Sequence, residues 1–215
     1  MSSPTVARYL LPLAITWLSL AAHAQTSPND VVQEAADLLA EALQGRKDEL
    51  AANREELYEV INEVLLPRFD RTYAAQLVLG PHWKTASRTQ RQQFIDAFYQ
   101  NLLQKYADGV LEYDQSRVEI LPFRGDLSKP RVIVRTMVRL DDGTKVPVDY
   151  NLVKRKAGWL LFDVSIEGIS YVRNFRVEMN AEIQQSSLDA VIARLQRETG
   201  SGTAGSDPPL SETPE

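Results

Sequence analysis

The sequence predicts an α+β fold, in which a twisted antiparallel meander of four strands is covered by helices from both ends of the chain. Three observations carry this prediction. Apolar side chains recur at helical spacing over residues 28–113, alternate with polar ones over residues 117–167, and return to helical spacing over residues 169–198. Because tight-turn sequences separate the alternating segments, neighbouring strands should pair in chain order.

The first 24 residues have the pattern of an export signal. Arg8 supplies a basic start, residues 9–22 form a short apolar stretch, and Ala-His-Ala at 22–24 fits a cleavage site. We therefore expect an exported, periplasmic protein whose mature domain spans residues 25–198. No later stretch is long and apolar enough to suggest a membrane span, so we expect a protein that is not integral to the membrane.

Composition excludes several classes of function. The chain has 24 basic and 29 acidic side chains, and loss of Arg8 with the signal shifts the formal charge from −5 to −6. This acidic balance disfavours nucleic acid as a partner and disfavours adhesion to an anionic bilayer. The absence of cysteine excludes disulfides, thiol catalysis and thiolate-bound metal.

Caps and spacing predict the first two helices. Ser27, Pro28 and Asp30 form a helix start, and that helix should run to about Leu43. Asn53, with an acid three residues later, begins a second helix that ends near a proline.

Two more helices should precede the sheet. Residues 70–79 form the first, and His82 follows it in a loop. Thr89 and Gln92 then form the cap of the longest helix, whose apolar stripe consists of Phe94, Phe98, Leu102, Tyr106, Val110 and Tyr113. A stripe this wide and this aromatic suits a helix that lies across a sheet.

The four strands are predicted at residues 118–120, 131–140, 146–152 and 158–167. The segment Asp-Asp-Gly-Thr at 141–144 is a strong hairpin signal between the second and third strands. In the fourth strand, strict alternation places one wholly apolar set on a single face: Leu160, Phe162, Val164 and Ile166. Ser170 then caps a helix, residues 188–195 form another, and the polar tail 199–215 is expected to be disordered.

Candidate catalytic groups are few. His82 is the one histidine after the signal segment, so the sequence offers neither a zinc site built on histidines nor a conventional Ser-His-Asp site with a spare histidine. Asp163 has apolar neighbours and would serve as a buried general base, although hydrogen-bonding partners usually explain such a residue. Asp141 and Asp142 suit a solvated turn better than a cation site.

Two further patterns each allow two interpretations. Arg131, Arg135 and Arg139 share one face of the second strand, which is either solvated or a docking surface for a partner protein. The apolar excess on the sheet and on the long helix indicates either a packed core or a ligand cavity, and periodicity does not separate these.

Two sets of residues carry a family resemblance. The first set is Leu79-Gly80-Pro81-His82-Trp83, Phe94, Phe98, Leu102-Leu103 and Tyr106-Ala107. The second set is Gly158-Trp159, Asp163-Val164, Ile166-Glu167-Gly168-Ile169-Ser170, Asn174-Phe175-Arg176 and Leu188-Asp189-Ala190. In order and spacing they resemble the two signatures of the MlaC family, also called the toluene-tolerance auxiliary transport component. Ser187 stands where that family usually has glycine.

The resemblance implies a periplasmic phospholipid carrier in a Gram-negative envelope. Its partners would be an outer-membrane lipoprotein complex and an inner-membrane ABC transporter with an MCE-domain subunit. It implies a sheet similar to the NTF2-like cone, a monomer, and no enzymatic activity, cofactor or metal. Because each methylene withdrawn from water gains about 0.8 kcal/mol, the acyl chains need an apolar cavity, which we expect to approach roughly 1,000 Å³.

Facing patterns then assign the contacts to the acyl chains. The sheet contributes Val132, Val134, Val138, Val148, Tyr150, Leu152, Phe162 and Val164, and the helices contribute Phe98, Leu102, Tyr106, Val110 and Phe175. Two alternatives remain: a secreted enzyme with Asp163 or Asp149 as base, and an envelope adaptor with a solid core that docks through its arginine-rich face.

Overall fold

A computed structural model describes residues 26–200. The export signal at 1–24 and residues 201–215 of the predicted tail lie outside these residues. The prediction that the tail begins at residue 199 was wrong at its first two positions, because Thr199 and Gly200 belong to the last turn of a helix. Within them the chain forms eight α-helices: α1 Pro28–Leu43, α2 Lys47–Ala52, α3 Arg54–Leu65, α4 Arg71–Leu79, α5 His82–Thr85, α6 Arg88–Leu111, α7 Tyr171–Gln185 and α8 Leu188–Gly200. The five strands are β1 Val118–Ile120, β2 Arg131–Arg139, β3 Lys145–Arg155, β4 Gly158–Ile166 and β5 Ile169–Ser170. The α+β class is confirmed.

The predicted helix starts at Ser27 and Asn53 are confirmed by their hydrogen bonds. The Ser27 hydroxyl accepts from the Asp30 amide at 3.2 Å, and the Asn53 side chain accepts from the Glu56 amide at 3.4 Å. These bonds satisfy amides that have no partner inside the helix.

The start of the longest helix differs from the prediction. Its capping residue is Ser87, whose hydroxyl accepts from the Gln90 amide at 3.1 Å while the Gln90 side chain accepts from the Ser87 amide at 2.9 Å. Thr89 therefore lies inside the first turn. His82 lies in the short helix α5 rather than in a loop, and its Nε2 is 3.0 Å from the Asn180 Oδ1.

The sheet is antiparallel in the order β1-β2-β3-β4-β5, so it has five strands where the sequence predicted four. The fifth strand is short and pairs Ser170 with Ser165. Glu167 and Gly168, with φ of 51° and 81°, make the turn that brings this strand back beside β4. The chain enters α7 directly from it.

A β-bulge interrupts the alternation in β4. Tyr150 of β3 stands opposite Val164, but Leu152, two residues further on, stands opposite Leu161. Phe162 is therefore an extra residue, and the face that carries Tyr150 also carries Leu161 and not Leu160. The prediction of one strictly alternating apolar face was wrong at Leu160, because an inserted residue reverses the parity of the strand.

The core consists of three packed clusters. One joins α4, α6, α7 and α8 around the fully buried Phe94 and Leu195, and a second joins α1, α2, α3 and α6 around the fully buried Leu50 and Leu57. In the third, Val31 and Val32 of α1 pack on the sheet against Val132, Val134, Leu152 and Trp159. The helices thus cover one face of the sheet, and α1 rests directly on the part formed by β2.

Candidate functional site

An apolar cavity of about 460 Å³ lies between the covered face of the sheet and helices α1, α3, α4, α6 and α7. Its wall also includes the 3-10 turn Leu66–Arg68 and Phe69. Polar groups form a small part of this wall. The volume is within the usual range of ligand pockets but below the value of roughly 1,000 Å³ expected from the sequence.

Nine of the thirteen side chains assigned to acyl-chain contact line the cavity: Phe98, Leu102, Tyr106, Val110, Tyr150, Leu152, Phe162, Val164 and Phe175. These come from α6, β3, β4 and α7. The structure therefore brings together the aromatic stripe of the long helix, the middle of the sheet and the helix that follows it.

The other four assigned residues do not line the cavity: Val132, Val134, Val138 and Val148. Val132 and Val134 are 6% and 0% exposed and pack beneath Val31 and Val32 of α1. Val148 stands opposite Thr136 and Ile166, and Val138 stands opposite Val118 at the other end of β2. Periodicity identified the covered face correctly, but it does not tell which part of that face is already filled by α1.

Helix α1 is the part of the wall that the sequence analysis missed. It contributes Val31, Val32, Ala35, Ala36 and Leu39 to the cavity. The apolar spacing of α1 could have predicted this contribution to the wall. Ala35 and Ala36 leave space that larger side chains would fill. Further lining residues that were not predicted are Ile61, Leu65, Tyr99, Leu103, Val118, Ile120, Ile166, Tyr171 and Val172.

Asp163 is the one carboxylate among the described residues of the wall, and both of its oxygens accept hydrogen bonds. Oδ1 accepts from the Val172 amide at 3.0 Å, and Oδ2 accepts from the Ser170 hydroxyl at 2.7 Å and from the Asn151 side chain at 3.4 Å. Ser170 in turn accepts from the Arg173 amide at 3.1 Å. Asp163 and Ser170 together cap the start of α7.

The other polar side chains that the described residues contribute to the wall are Arg68 and five tyrosines, Tyr99, Tyr106, Tyr113, Tyr150 and Tyr171. Arg68 donates to the Val64 carbonyl at 2.8 Å and to the Glu34 carboxylate at 2.7 Å, which ties the 3-10 turn to α1. Burial raises the pKa of the Tyr113 hydroxyl to about 12, and the nearby Tyr150, Asp37 and Asp114 act in the same direction. Tyr113 therefore stays protonated across the physiological range of pH.

The remaining candidates lie away from the cavity. Arg131, Arg135 and Arg139 are exposed on the opposite face of the sheet, where Arg135 stands opposite Asp149. Asp142 accepts from the Thr144 amide at 2.8 Å and Asp141 pairs with Arg117 at 2.7 Å, as side chains of a surface turn do.

Residues 26–200 contain no group of three or more His, Cys, Asp or Glu side chains placed to hold a metal ion. In the same part of the chain, no helix combines the length and the apolar character that crossing a membrane requires.

Comparison with known proteins places these features in a family. The toluene tolerance protein ttg2D of Pseudomonas putida is 28% identical over 183 residues, which is 85% of this chain and 84% of the relative. The MlaC binding protein of the Haemophilus influenzae intermembrane phospholipid transport system is 25% identical over 179 residues, with 82% of this chain and 84% of the relative covered.

A solved structure shares the fold. The phospholipid-binding protein of Ralstonia solanacearum, determined in complex with a phospholipid, superposes with a TM-score of 0.71 at 24% identity, over 81% of this chain and 97% of that one. The sequence model of the family described as MlaC protein matches residues 33–197, a range that begins inside α1 and ends inside α8. This chain belongs to the MlaC family.

Proposed function

We propose that this protein is a periplasmic phospholipid carrier that moves lipid between an outer-membrane lipoprotein complex and an inner-membrane ABC transporter with an MCE-domain subunit. The observation that carries the proposal is the apolar cavity between the sheet and the helices. Membership of the MlaC family supports it, as do a relative named for intermembrane phospholipid transport and a structural neighbour that holds a phospholipid.

The physics of the cargo fits such a cavity. Each acyl methylene removed from water contributes about 0.8 kcal/mol, so chains of lipid length cross an aqueous space only when an apolar wall accompanies them. The cavity wall offers that surface with few polar groups. Transfer of a lipid needs no bond to be made or broken, and the carboxylate in the wall is engaged in capping α7.

Release and docking are the other requirements of a carrier. Loss of the signal leaves a formal charge of −6, and this negative charge is repelled by anionic membrane surfaces, which suits the protein to leave them. Arg131, Arg135 and Arg139 remain our prediction for a docking face. They are exposed beside Ile133, which is 41% exposed, and no ion pair within residues 26–200 engages them.

The test is native mass spectrometry of the mature protein, purified without detergent and incubated with phospholipid vesicles. Wild type should carry an adduct of phospholipid mass that is lost on denaturation. Leu102→Trp should remove the adduct while the protein stays folded, because Leu102 is half-buried and lines the cavity. Val177→Trp is the matched control, since Val177 is 67% exposed on α7.

The outcomes separate the alternatives. A clean protein mass for wild type after incubation with vesicles contradicts the carrier and favours an adaptor. An adduct that persists at full occupancy in Leu102→Trp shows that the lipid lies somewhere other than this cavity.

A further inference from the structure

A second cavity, of about 560 Å³, lies where α1 turns through Gly45 into α2. Its wall differs in chemistry from that of the apolar cavity. It contains Gln44, Lys47 and Asp48 on one side and Asp114 with its two following residues on the other. Gln44, Lys47 and Asp48 are exposed, so this second cavity is open to solvent.

Tyr113 lies in the walls of both cavities. Its hydroxyl is buried and has no hydrogen-bond partner among the described residues. Its backbone carbonyl accepts from the Lys47 Nζ at 2.7 Å, so the ammonium of Lys47 is held beside Tyr113. A buried hydroxyl without a partner costs about 1–3 kcal/mol, so in a native protein such a group calls for an explanation, and a bound ligand atom is one that the position of Tyr113 allows.

The protonation state of Tyr113 limits which ligand atoms its hydroxyl can bind. Its pKa of about 12 keeps the hydroxyl a donor, and the atoms that complement it are acceptors such as phosphate or ester oxygens. Lys47 adds a positive charge on the same side.

The second cavity also contains negative charge. Asp114 accepts from the Ser116 amide at 2.9 Å and faces Arg117 at 3.3 Å, which leaves it largely compensated. Asp48 has no ion pair within residues 26–200. The cavity therefore pairs Lys47, which suits a phosphate, with Asp48, which suits an ammonium group.

We propose that the second cavity binds the zwitterionic headgroup of a phosphate-amine lipid whose acyl chains fill the apolar cavity, with the Tyr113 hydroxyl donating to a phosphate or ester oxygen where the two cavities meet. This inference rests on the proposed function, because it assigns the polar end of the same cargo.

The test loads the delipidated mature protein from vesicles that contain phosphatidylethanolamine and phosphatidylglycerol in equal amounts, and separately with oleic acid. Native mass spectrometry then counts each bound species. Wild type should take the zwitterionic lipid about threefold more often than the anionic one, the size expected of one exposed charge pair. Lys47→Met and Tyr113→Phe should each lower bound phospholipid about threefold, with oleic acid unchanged. Asp48→Asn should bring the ratio of the two lipids towards one.

Two substitutions serve as matched controls. Lys156→Met removes an exposed lysine at the turn between β3 and β4, and Tyr58→Phe removes a tyrosine hydroxyl that lies in neither cavity wall. Both should match wild type in every measurement.

The result that overturns this inference alone is a wild type that binds phospholipid without headgroup preference, with all three variants equal to the controls. A wild type that takes no phospholipid at all overturns the proposed function as well. Soluble glycerophosphoethanolamine distinguishes the source of the phosphate. If its binding depends on Lys47 while lipid binding does not, the second cavity takes a free phosphoester and the headgroup assignment is wrong.

Discussion

Asp163 is the residue whose surroundings bear most directly on the alternative of an enzyme. It is 8% exposed, it lies in the cavity wall, and its acidic side chain fits the description of a buried general base. Its three hydrogen bonds come from Val172, Ser170 and Asn151, and they occupy both oxygens. A carboxylate held in this way stabilises the first turn of α7, which its charge also favours.

Replacing Asp163 with asparagine tests this role. The amide keeps one acceptor oxygen and gains two donors, so at least one of the present bonds is lost and a donor is left buried. We expect Asp163→Asn to lower the free energy of unfolding by about 1–3 kcal/mol in urea titrations followed by circular dichroism. Glu178→Gln, an exposed acid on the same helix, should cost almost nothing. Unchanged stability with loss of a measurable turnover would instead favour the enzyme.

The sequence predicted that Asp163 is unusual but did not predict its partners. An acid among apolar neighbours is visible in the sequence, whereas Asn151 reaches it from the adjacent strand and Ser170 from a fifth strand that was not predicted. Tyr113 is a similar case. The sequence placed it on the apolar stripe of the longest helix, but α6 ends at Leu111, two residues before Tyr113. Its place in the walls of both cavities depends on the turn from α1 into α2.

At the scale of elements, the connection from α3 to α4 joins the helices to the sheet. Phe69 pairs with Leu161 as an isolated parallel bridge, and the Asp70 amide donates to the Leu161 carbonyl at 2.7 Å. The Asp70 side chain caps α4 through the Tyr73 amide at 2.9 Å and pairs with Arg155 of β3 at 2.6 Å. The Asp70 side chain therefore fixes the start of α4 and attaches it to the end of β3.

Asp70→Ala should destabilise the protein by about 1–3 kcal/mol, because it removes both a helix cap and a largely buried ion-pair partner. The Asp70 side chain is 12% exposed, so water replaces few of the interactions that the substitution removes. Asp108→Ala provides the control, since that carboxylate is 66% exposed in its pair with Arg54 and should cost less than about 1 kcal/mol. Equal denaturation midpoints for Asp70→Ala and Asp108→Ala would contradict the view that Asp70 attaches α4 to the sheet.

Most of the elements could be predicted, because caps and periodicity are local signals. The helix starts at Ser27 and Asn53 and the meander of long strands followed from them. The register of β4 could not be predicted, since the extra residue at Phe162 leaves no mark in a run that is apolar on both faces. Periodicity also gave no indication that α1 covers the part of the sheet around Val134.

At the scale of the whole molecule, packed and hollow regions lie side by side on one face of the sheet. Val134 is fully buried beneath α1, so a tryptophan at that position would overpack a solid cluster and unfold the protein rather than displace a ligand. Leu102 lies over open space in the cavity. The hollow region lacks contacts that a packed core would make, and the proposed acyl chain would restore them.

Stability should therefore depend on cargo. A ligand that binds only the folded state at 100 times its dissociation constant adds about 2.7 kcal/mol, so the phospholipid-loaded protein should unfold at distinctly higher urea concentration than the delipidated one. Leu102→Trp should remove this dependence of stability on lipid. Its indole fills part of the cavity, so the delipidated variant should be at least as stable as delipidated wild type, yet vesicles should leave its midpoint unchanged. Val177→Trp should respond to lipid as wild type does, because its side chain lies outside the cavity. Equal midpoints for loaded and delipidated wild type would show that the lipid makes no contact specific to the folded state, and the cavity would then be a packing defect rather than a binding site.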